Sequence, residues 1–339
     1  MSDYSALDRI LHRVVLSGRS VGEALFDIDG ARVDKGLPAA ASPVIVSGLA
    51  RAGTTVLMRA LYGSGQFASL TYADMPMVMA PNLWASLSRA SQKRRVAKER
   101  AHGDGLLVDF DAPEALEEVF WRTRCGGDYI RPEGLAPHTP DAETLAAYRL
   151  YQARVCRRYG VGRYLAKNNN MMLRLASVAA AQPDGLFLVP VRDPLAQAES
   201  LRRQHRRFAA SDAFTRDYMR WLAHHEFGAD QRPFLLPGAP AADGDRAGLD
   251  YWIALWTACY GHLAETIAAS PNVTPVIYER LPRDWPSIAR RAGVDPESGG
   301  GLRPAEPPLA AGGGVSPKLL KTARDLYARL ARQATERLA

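Results

Sequence analysis

The residues best suited to chemistry lie in a glycine-bounded turn between Gly48 and Gly53. The turn follows an apolar run, residues 43–46, that is typical of a buried strand. After the turn, apolar residues recur at helical spacing, so a helix is predicted to begin near Thr54. A strand, a glycine-rich turn and a helix N-terminus form an anion site, because free backbone N–H groups and the positive end of the helix dipole converge there.

The spacing Gly48-x-x-x-x-Gly53 matches the first part of a Walker A loop, but the next residues differ from that motif. A nucleotide triphosphatase has Lys and then Ser or Thr at these positions, whereas this chain has Thr54 and Thr55. Its cation, Arg51, lies inside the turn, which argues against hydrolysis of ATP or GTP. Two hydroxyls and a guanidinium remain suited to a phosphate or a sulfate. The alternative for this turn alone is an ordinary strand-to-helix connection, since glycine-rich turns are common.

A second strand-to-helix unit contains another pair of residues suited to a phosphate. Residues 186–191 have the apolar pattern of a strand. Asp193 and Pro194 follow, which predicts a helix start, because aspartate caps helix N-termini and proline suits the first helical position. Arg192 ends the strand, and Ser200 lies eight positions later on the predicted helix.

These two units, in this order, resemble those of the sulfotransferases that use 3′-phosphoadenosine 5′-phosphosulfate (PAPS), in the style of the bacterial and tyrosylprotein-type enzymes. In that family, an Arg and a Ser eight residues apart bind the 3′-phosphate, as Arg192 and Ser200 would here. The resemblance covers roughly residues 43–200. It also implies that five consecutive residues hold the 5′-phosphosulfate: Arg51, Ala52, Gly53, Thr54 and Thr55.

The same resemblance implies which residues act in the transfer. Lys167, in a Lys-Asn pair that ends a short strand pattern, and Arg51 would stabilise charge on the leaving group. Asp74 matches the carboxylate that takes the acceptor's proton in the tyrosylprotein-type enzymes; the alternative is that it caps a helix or shapes a turn. His102 is the second candidate for this base. Lys318 matches a C-terminal residue that some family members bring back onto the cofactor.

Composition limits the partners and the location that are expected. The formal net charge of +7 is explained by a polyanionic cofactor, and no nucleic-acid-binding module is recognisable. Three widely spaced cysteines without a Cys-x-x-Cys pair argue against a disulfide framework and a zinc site, and they fit a reducing cytoplasm. No stretch approaches the ~20 apolar residues of a membrane span, and the N-terminus lacks a signal-peptide pattern. We therefore expect a cytoplasmic protein without nucleic-acid partners.

Strand and helix patterns alternate along the chain and predict an α/β fold. The resemblance specifies it as a P-loop NTPase-like, mostly parallel sheet with helices on both faces, in a single domain with helical insertions. Pro190 and Pro275 fall inside predicted strands. Because proline cannot donate a ladder hydrogen bond, those strands must be short or have an edge there.

We expect four segments along the chain. Residues 1–41 form an N-terminal helical arm, and residues 42–295 form the α/β domain. Residues 296–315 are rich in Gly and Pro and are expected to be a flexible linker. Residues 316–339 are expected to form a C-terminal helix, because Ser-Pro-Lys opens an apolar-periodic stretch.

The sequence therefore predicts a metal-independent enzyme that moves a sulfuryl group from PAPS to a hydroxyl group, leaving 3′-phosphoadenosine 5′-phosphate (PAP). One alternative is a small-molecule kinase on a degenerate P-loop, and another is a catalytically inactive nucleotide-binding protein. The acceptor stays open among small molecules, carbohydrates, lipids and peptides, and so does the oligomeric state.

Sulfate transfer by this protein is expected to be independent of metal ions. A sulfuryl group carries less charge than a phosphoryl group, and the sequence has neither the H-E-x-x-H nor the EF-hand ligand spacing. We expect full sulfate transfer from PAPS in excess EDTA. Activity that disappears in EDTA and returns with Mg²⁺ would favour the kinase instead.

Overall fold

The computed structural model describes residues 6–88, 98–99, 107–108, 113–241, 243–298, 302–303 and 314–339. Their helices are α1 Ala6–Ser17, α2 Arg19–Val33, α3 Thr54–Tyr62, α4 Pro81–Ser88, α5 Glu118–Tyr129, α6 Ala142–Tyr159, α7 Leu175–Ala181, α8 Pro194–Ala209, α9 Ala213–Trp221, α10 Leu249–Ala269, α11 Leu281–Arg291 and α12 Pro317–Leu338. Their strands are β1 Val44–Val46, β2 Lys98–Glu99, β3 Leu107–Val108, β4 Ile130–Arg131, β5 Gly134–Leu135, β6 Leu165–Lys167, β7 Leu186–Val191 and β8 Val273–Ile277. Short 3₁₀ helices cover Tyr72–Asp74, Asn169–Leu173, Tyr278–Arg280 and Pro296–Ser298.

The central sheet has the strand order β6-β1-β7-β8, and all of its neighbouring strands are parallel. On β1, Ile45 pairs with Ala166 of β6 and with Phe187 of β7. The short strands β2–β3 and β4–β5 form separate antiparallel pairs. The carboxyl ends of the parallel strands lie at one edge, where ligands bind in open α/β sheets.

Helices cover both faces of this sheet, because successive strand side chains point to opposite sides. On one face, Val44 and Val46 pack in a buried cluster with residues of α3 and α11. On the other face, Ile45 belongs to a larger buried cluster with residues of α10 and α12. The predicted fold class, a mostly parallel α/β sheet with helices on both faces, is confirmed.

The two strand prolines lie where the sheet leaves one side of the strand without a neighbour. Pro190 lies beyond the last β1–β7 pair, Val46 with Leu188, and its carbonyl accepts a hydrogen bond from the Tyr260 hydroxyl at 2.8 Å. Pro275 is on β8, which ends the sheet. At each proline, one side of the strand is therefore an edge, where a missing N–H costs no ladder hydrogen bond. The sequence predicted such an edge.

A buried carboxylate fixes the end of β6. Glu117 is buried and accepts hydrogen bonds from the Tyr148 hydroxyl at 2.7 Å, the Tyr164 hydroxyl at 2.9 Å and the Asn168 amide at 2.9 Å. Burial raises the pKa of Glu117, although these hydrogen bonds oppose the rise. Because Asn168 follows Lys167 directly, the network also fixes where the backbone of Lys167 leaves the sheet.

The neighbouring acid, Glu118, forms a buried ion pair. Both of its oxygens lie 2.9 Å from the Arg174 guanidinium, and the Tyr129 hydroxyl donates to it as well. Burial opposes ionisation of Glu118, but the Arg174 charge and these hydrogen bonds hold its pKa below the ordinary value. Removing one partner would leave the other charge buried and uncompensated.

We predict that Glu118→Gln lowers the free energy of unfolding by roughly 3–5 kcal/mol, because Arg174 keeps its buried charge. The control is Glu143→Gln, which breaks an exposed 2.9 Å pair with Arg124 and should cost less than about 1 kcal/mol. Urea unfolding followed by circular dichroism measures both losses. Equal losses in the two variants would contradict the predicted contribution of the buried pair.

Among the described residues, none of the helices combines the length and the apolar character that crossing a membrane requires. Cys125, Cys156 and Cys259 are all buried, and each is a free thiol. Burial raises the pKa of the Cys125 thiol to about 12. The three thiols therefore pack as small apolar groups within the core.

Candidate active site

A cleft of about 260 Å³ opens at the carboxyl ends of the parallel strands. Part of its lining comes from the glycine-bounded turn and from the ends of β6 and β7: Arg51, Gly53, Thr54, Thr55, Lys167 and Arg192. Further lining comes from segments outside the central sheet: Glu114, Tyr218, Met219, Leu222, His224 and Glu226. The cleft therefore joins the predicted anion site to a second wall that carries carboxylates, a histidine and apolar side chains.

Gly53 is required by its backbone conformation and by its neighbour. Its φ of 91° lies in the left-handed region, and it caps α3, which begins at Thr54. A Cβ at this position would lie 2.2 Å from Cδ2 of Tyr278. Tyr278 therefore packs directly against the turn, and it can do so only because the side chain of residue 53 is absent.

The Gln197 amide, on α8, holds the turn from behind. Its Nε2 donates to the carbonyls of Leu49 at 3.2 Å and Ala50 at 2.9 Å. Its Oε1 accepts from Trp256 Nε1 at 3.0 Å and lies 3.3 Å from the Tyr260 hydroxyl. Gln197 is fully buried, so a fixed amide links the turn to the second strand-to-helix unit.

The structure brings together the arginines and the serine predicted to bind phosphates. Arg51 has a φ of 70°, and its Nε donates to the Ser200 hydroxyl at 3.1 Å. Arg192 Nη1 donates to the Arg51 carbonyl at 3.2 Å, and its guanidinium carbon lies 4.9 Å from the centre of the Tyr278 ring. Two guanidinium groups from different strand-to-helix units therefore flank one end of the cleft.

Lys167 lies beside the turn, as predicted. It is the last residue of β6 and pairs with Val46 across the sheet. Its Nζ donates to the Thr55 hydroxyl at 3.1 Å, and the residue is only 8% exposed. Lys167 thus presents a largely buried cation at the N-terminus of α3.

Asp74 lies outside the cleft, contrary to the position expected of a proton acceptor. It is fully buried, and its Oδ2 accepts from the Thr71 backbone N–H at 2.9 Å and from the Tyr159 hydroxyl at 2.5 Å. The Thr71 hydroxyl in turn accepts from the Ala73 N–H at 3.2 Å, which completes a capping box. This geometry corresponds to the alternative interpretation, a helix cap, and does not place the carboxylate where a substrate could reach it.

Of the three remaining predicted residues, the structure describes Ala52 and Lys318. Ala52 is fully buried within the turn. Lys318 is exposed in the first turn of α12, two residues after Ser316, whose N–H donates to Asp250. Among the described residues that line the cleft, neither Asp74 nor Lys318 is present. His102 lies outside the described residues.

Sequence reasoning missed His224 and Glu226, which lie after α9. Ala223 has a φ of 52°, and this left-handed residue turns the chain at the end of the helix. Glu226 is 2% exposed, and its Oε1 accepts from the Asn169 amide at 2.9 Å. Its Oε2 lies 3.8 Å from His224 Nδ1. The only signal in the sequence is a polar His-His-Glu triplet between apolar residues, which matches no motif.

Glu114 also lies in the cleft, and it is not among the site residues that the sequence predicted. It is 6% exposed, its N–H donates to the Leu70 carbonyl at 3.0 Å, and its Oε1 lies 3.9 Å from Arg59 Nη2.

The cleft thus has a basic end that suits a polyanion and an end with groups able to accept a proton. Within the described ranges, no three His, Cys, Asp or Glu side chains are grouped to hold a metal ion.

Comparisons with known proteins agree with the two motifs. The chain matches the model of the family described as "Sulfotransferase family" over residues 43–235, more than half of its length. The match confirms the family resemblance inferred from the sequence. A search of curated proteins found no significant match.

Three solved structures are similar to the chain, each at 13% sequence identity. Sulfotransferase STF1 from Mycobacterium tuberculosis H37Rv aligns with 99% of this chain and 87% of its own, at a TM-score of 0.46. Sulfotransferase STF9 from Mycobacterium avium aligns with 97% and 79%, at 0.47. A sulfotransferase from Alicyclobacillus acidocaldarius aligns with 88% and 95%, at 0.35.

We predict that Gly53→Ala weakens binding of PAP, because a Cβ would displace Tyr278 from the turn. Such overpacking costs about 1–3 kcal/mol, so Kd measured by calorimetry should rise about tenfold or more. The control is Gly65→Ala, where φ is also left-handed but a Cβ would meet nothing within 4 Å. Equal losses of affinity in both variants would attribute the effect to backbone strain rather than to Tyr278.

Proposed function

The chain belongs to the sulfotransferase family, and we propose that it transfers a sulfuryl group from PAPS to a hydroxyl group of an acceptor. The observation that carries this proposal is the convergence of Arg51, Arg192 and Ser200 from two strand-to-helix units. A cofactor with anionic groups at both its 5′ and 3′ positions requires two linked anion sites. ATP has no 3′-phosphate, so this arrangement favours PAPS over the cofactor of a kinase.

The proposed roles at the 5′ end follow from the turn. Backbone N–H groups of residues 52–55 and the positive end of the α3 dipole would bind the 5′-phosphosulfate. The Arg51 guanidinium adds a charge-assisted donor at the same end. Thr55, whose hydroxyl accepts from Lys167, can still donate its own hydrogen to an anionic oxygen.

At the 3′ end, Arg192 and Ser200 would bind the 3′-phosphate. Arg51 already donates to the Ser200 oxygen, so the serine hydrogen is available to a phosphate oxygen. Arg192 is held between the Arg51 carbonyl and the Tyr278 ring, which limits the side-chain entropy that it loses on binding. This arrangement supports binding of the 3′-phosphate by groups that are already in place.

During transfer, the acceptor oxygen, the sulfur and the leaving oxygen must lie in line. Negative charge then develops on the oxygen that bridges sulfur and phosphorus. We propose that Lys167 stabilises this charge together with Arg51, because Lys167 is nearly buried beside the turn. In such a site, an ammonium interacts more strongly with developing charge than it would in water.

The acceptor would enter along the second wall of the cleft. Tyr218, Met219, Leu222 and Phe227 give this wall an apolar surface, which favours an acceptor with an apolar or aromatic body. Asp74 does not reach the wall, so we propose that its carboxylate is structural. We further propose a cytoplasmic location, which the three free cysteines support.

A transfer screen tests the function. The protein would be incubated with ³⁵S-labelled PAPS and a panel containing a phenol, a sugar, a fatty alcohol, a tyrosine peptide and a metabolite extract. We expect label in one of these classes and release of an equal amount of PAP. PAP binding without any transfer would favour the inactive nucleotide-binding protein, and phosphate transfer from MgATP would favour the kinase.

We predict that PAP binds far more tightly than AMP and that Arg192→Ala removes much of this difference. Charge-assisted bonds contribute about 1.5–3 kcal/mol, so Kd for PAP should rise roughly tenfold to a hundredfold, with little change for AMP. Calorimetry measures both ligands. The control is Arg203→Ala, an exposed arginine on the same helix. Equal affinity of the unaltered protein for AMP and PAP would contradict the 3′-phosphate assignment.

A further inference from the structure

The second wall of the cleft contains a histidine supported by a carboxylate. Glu226 is almost fully buried, and the Asn169 amide holds its Oε1 at 2.9 Å. The other oxygen, Oε2, lies 3.8 Å from Nδ1 of His224, which is an ion-pair separation and not a hydrogen bond. His224 and Glu226 both line the cleft. A buried acid, itself oriented by a third group, therefore lies beside an imidazole of the cleft lining.

Burial is the main reason that His224 is neutral and can accept a proton near neutral pH. Burial lowers the pKa of His224, and the nearby Lys167 charge lowers it further. Glu226, Glu118 and Glu114 act in the opposite direction but do not outweigh burial. The imidazole is therefore neutral above its lowered pKa, with a lone pair on Nε2 when Nδ1 carries the hydrogen. Lys167 and His224 line the same cleft.

We propose that His224 is the general base of the transfer and that Glu226 positions its ring and stabilises the imidazolium. This inference rests on the proposed function. The acceptor oxygen forms a bond to sulfur, and the bond between sulfur and the bridging oxygen breaks. The electron pair of the broken bond stays on the 5′-phosphate of PAP, next to Lys167. The hydroxyl proton moves to Nε2 of His224, and the Glu226 carboxylate, 3.8 Å from Nδ1, stabilises the resulting imidazolium.

Glu114 is the competing base on the same wall, and its chemistry is less favourable. An ordinary carboxylate has a pKa of about 4 and an ordinary imidazole a pKa of about 6.5, so an imidazole is the stronger base of these two side-chain types. The Arg59 guanidinium lies 3.9 Å from the Glu114 carboxylate and forms an ion pair with it. Glu114 therefore contributes negative charge to the wall, and His224 takes the proton.

The first test is His224→Asn, assayed with the panel member that shows the highest turnover. We expect kcat to fall by about 10²-fold or more, while Kd for PAP stays unchanged and reports an intact fold. The matched control is His262→Asn on α10, a residue outside the cleft lining whose Nε2 lies 3.1 Å from the Met172 carbonyl. Turnover of His224→Asn within about threefold of the unaltered protein would overturn the proposal.

The second test uses the pH profile and does not depend on how well His224→Asn folds. In the unaltered protein, kcat/KM should fall below a pKa that is lower than the ordinary value of histidine, because only the neutral imidazole accepts the proton. Glu226→Gln keeps an oxygen for Asn169 but loses the charge that raises the His224 pKa. We therefore expect this acidic limb to move to lower pH and the plateau rate to fall.

A merely structural Glu226 would change the plateau rate or the stability without moving the limb. An unmoved limb in Glu226→Gln, or a limb that persists in His224→Asn, would show that another group is the base. The absence of any transfer by the unaltered protein would instead overturn the proposed function. If His224→Asn transfers sulfate normally, the proposed function stands and only the assignment of the base is wrong.

Discussion

The arrangement of the cleft depends on the buried amide of Gln197. This side chain joins the carbonyls of Leu49 and Ala50 to the indole of Trp256 and the hydroxyl of Tyr260. Because buried polar groups must be paired, no other neutral side chain of similar size could serve both sets of partners. The amide fixes the turn relative to α8. It therefore also fixes the distance between Arg51, in the turn, and Ser200, on α8.

Charge is divided unequally along the cleft. Cations from the turn, β6 and β7 gather at one end, and carboxylates occupy the other wall. The two kinds of charge are kept in place by different means. Lys167 and Arg192 lie at strand ends and Arg51 lies in the turn, whereas Glu226 is held by Asn169. An anionic donor and a hydroxyl acceptor would thus meet opposite environments, which favours one orientation of the reacting pair.

Local signals explain what the sequence could predict. Strand, turn and helix patterns are read within about ten residues, so both strand-to-helix units and the parallel sheet were recognisable. The family resemblance suggested Asp74 as the base, whereas the structure buries it outside the cleft lining; Thr71-x-x-Asp74 is itself a capping signal. His224 and Glu226 escaped notice because the turn at Ala223 and the packing of the segment after α9 bring them to the cleft. Such tertiary placement leaves no periodic pattern in the chain.

The contact between Gly53 and Tyr278 makes the turn depend on residues far along the chain. The family match ends at residue 235, yet Tyr278, Trp256 and Tyr260, which shape the turn, all lie beyond it. Glu279, next to Tyr278, accepts from the Asp193 N–H and from the Tyr327 hydroxyl of α12, so the C-terminal helix is fastened to the start of α8. The segment that identifies the family is therefore shorter than the unit that must fold cooperatively. A chimera grafted with the matched segment alone would inherit the anion-binding sequence without the side chains that give it its shape.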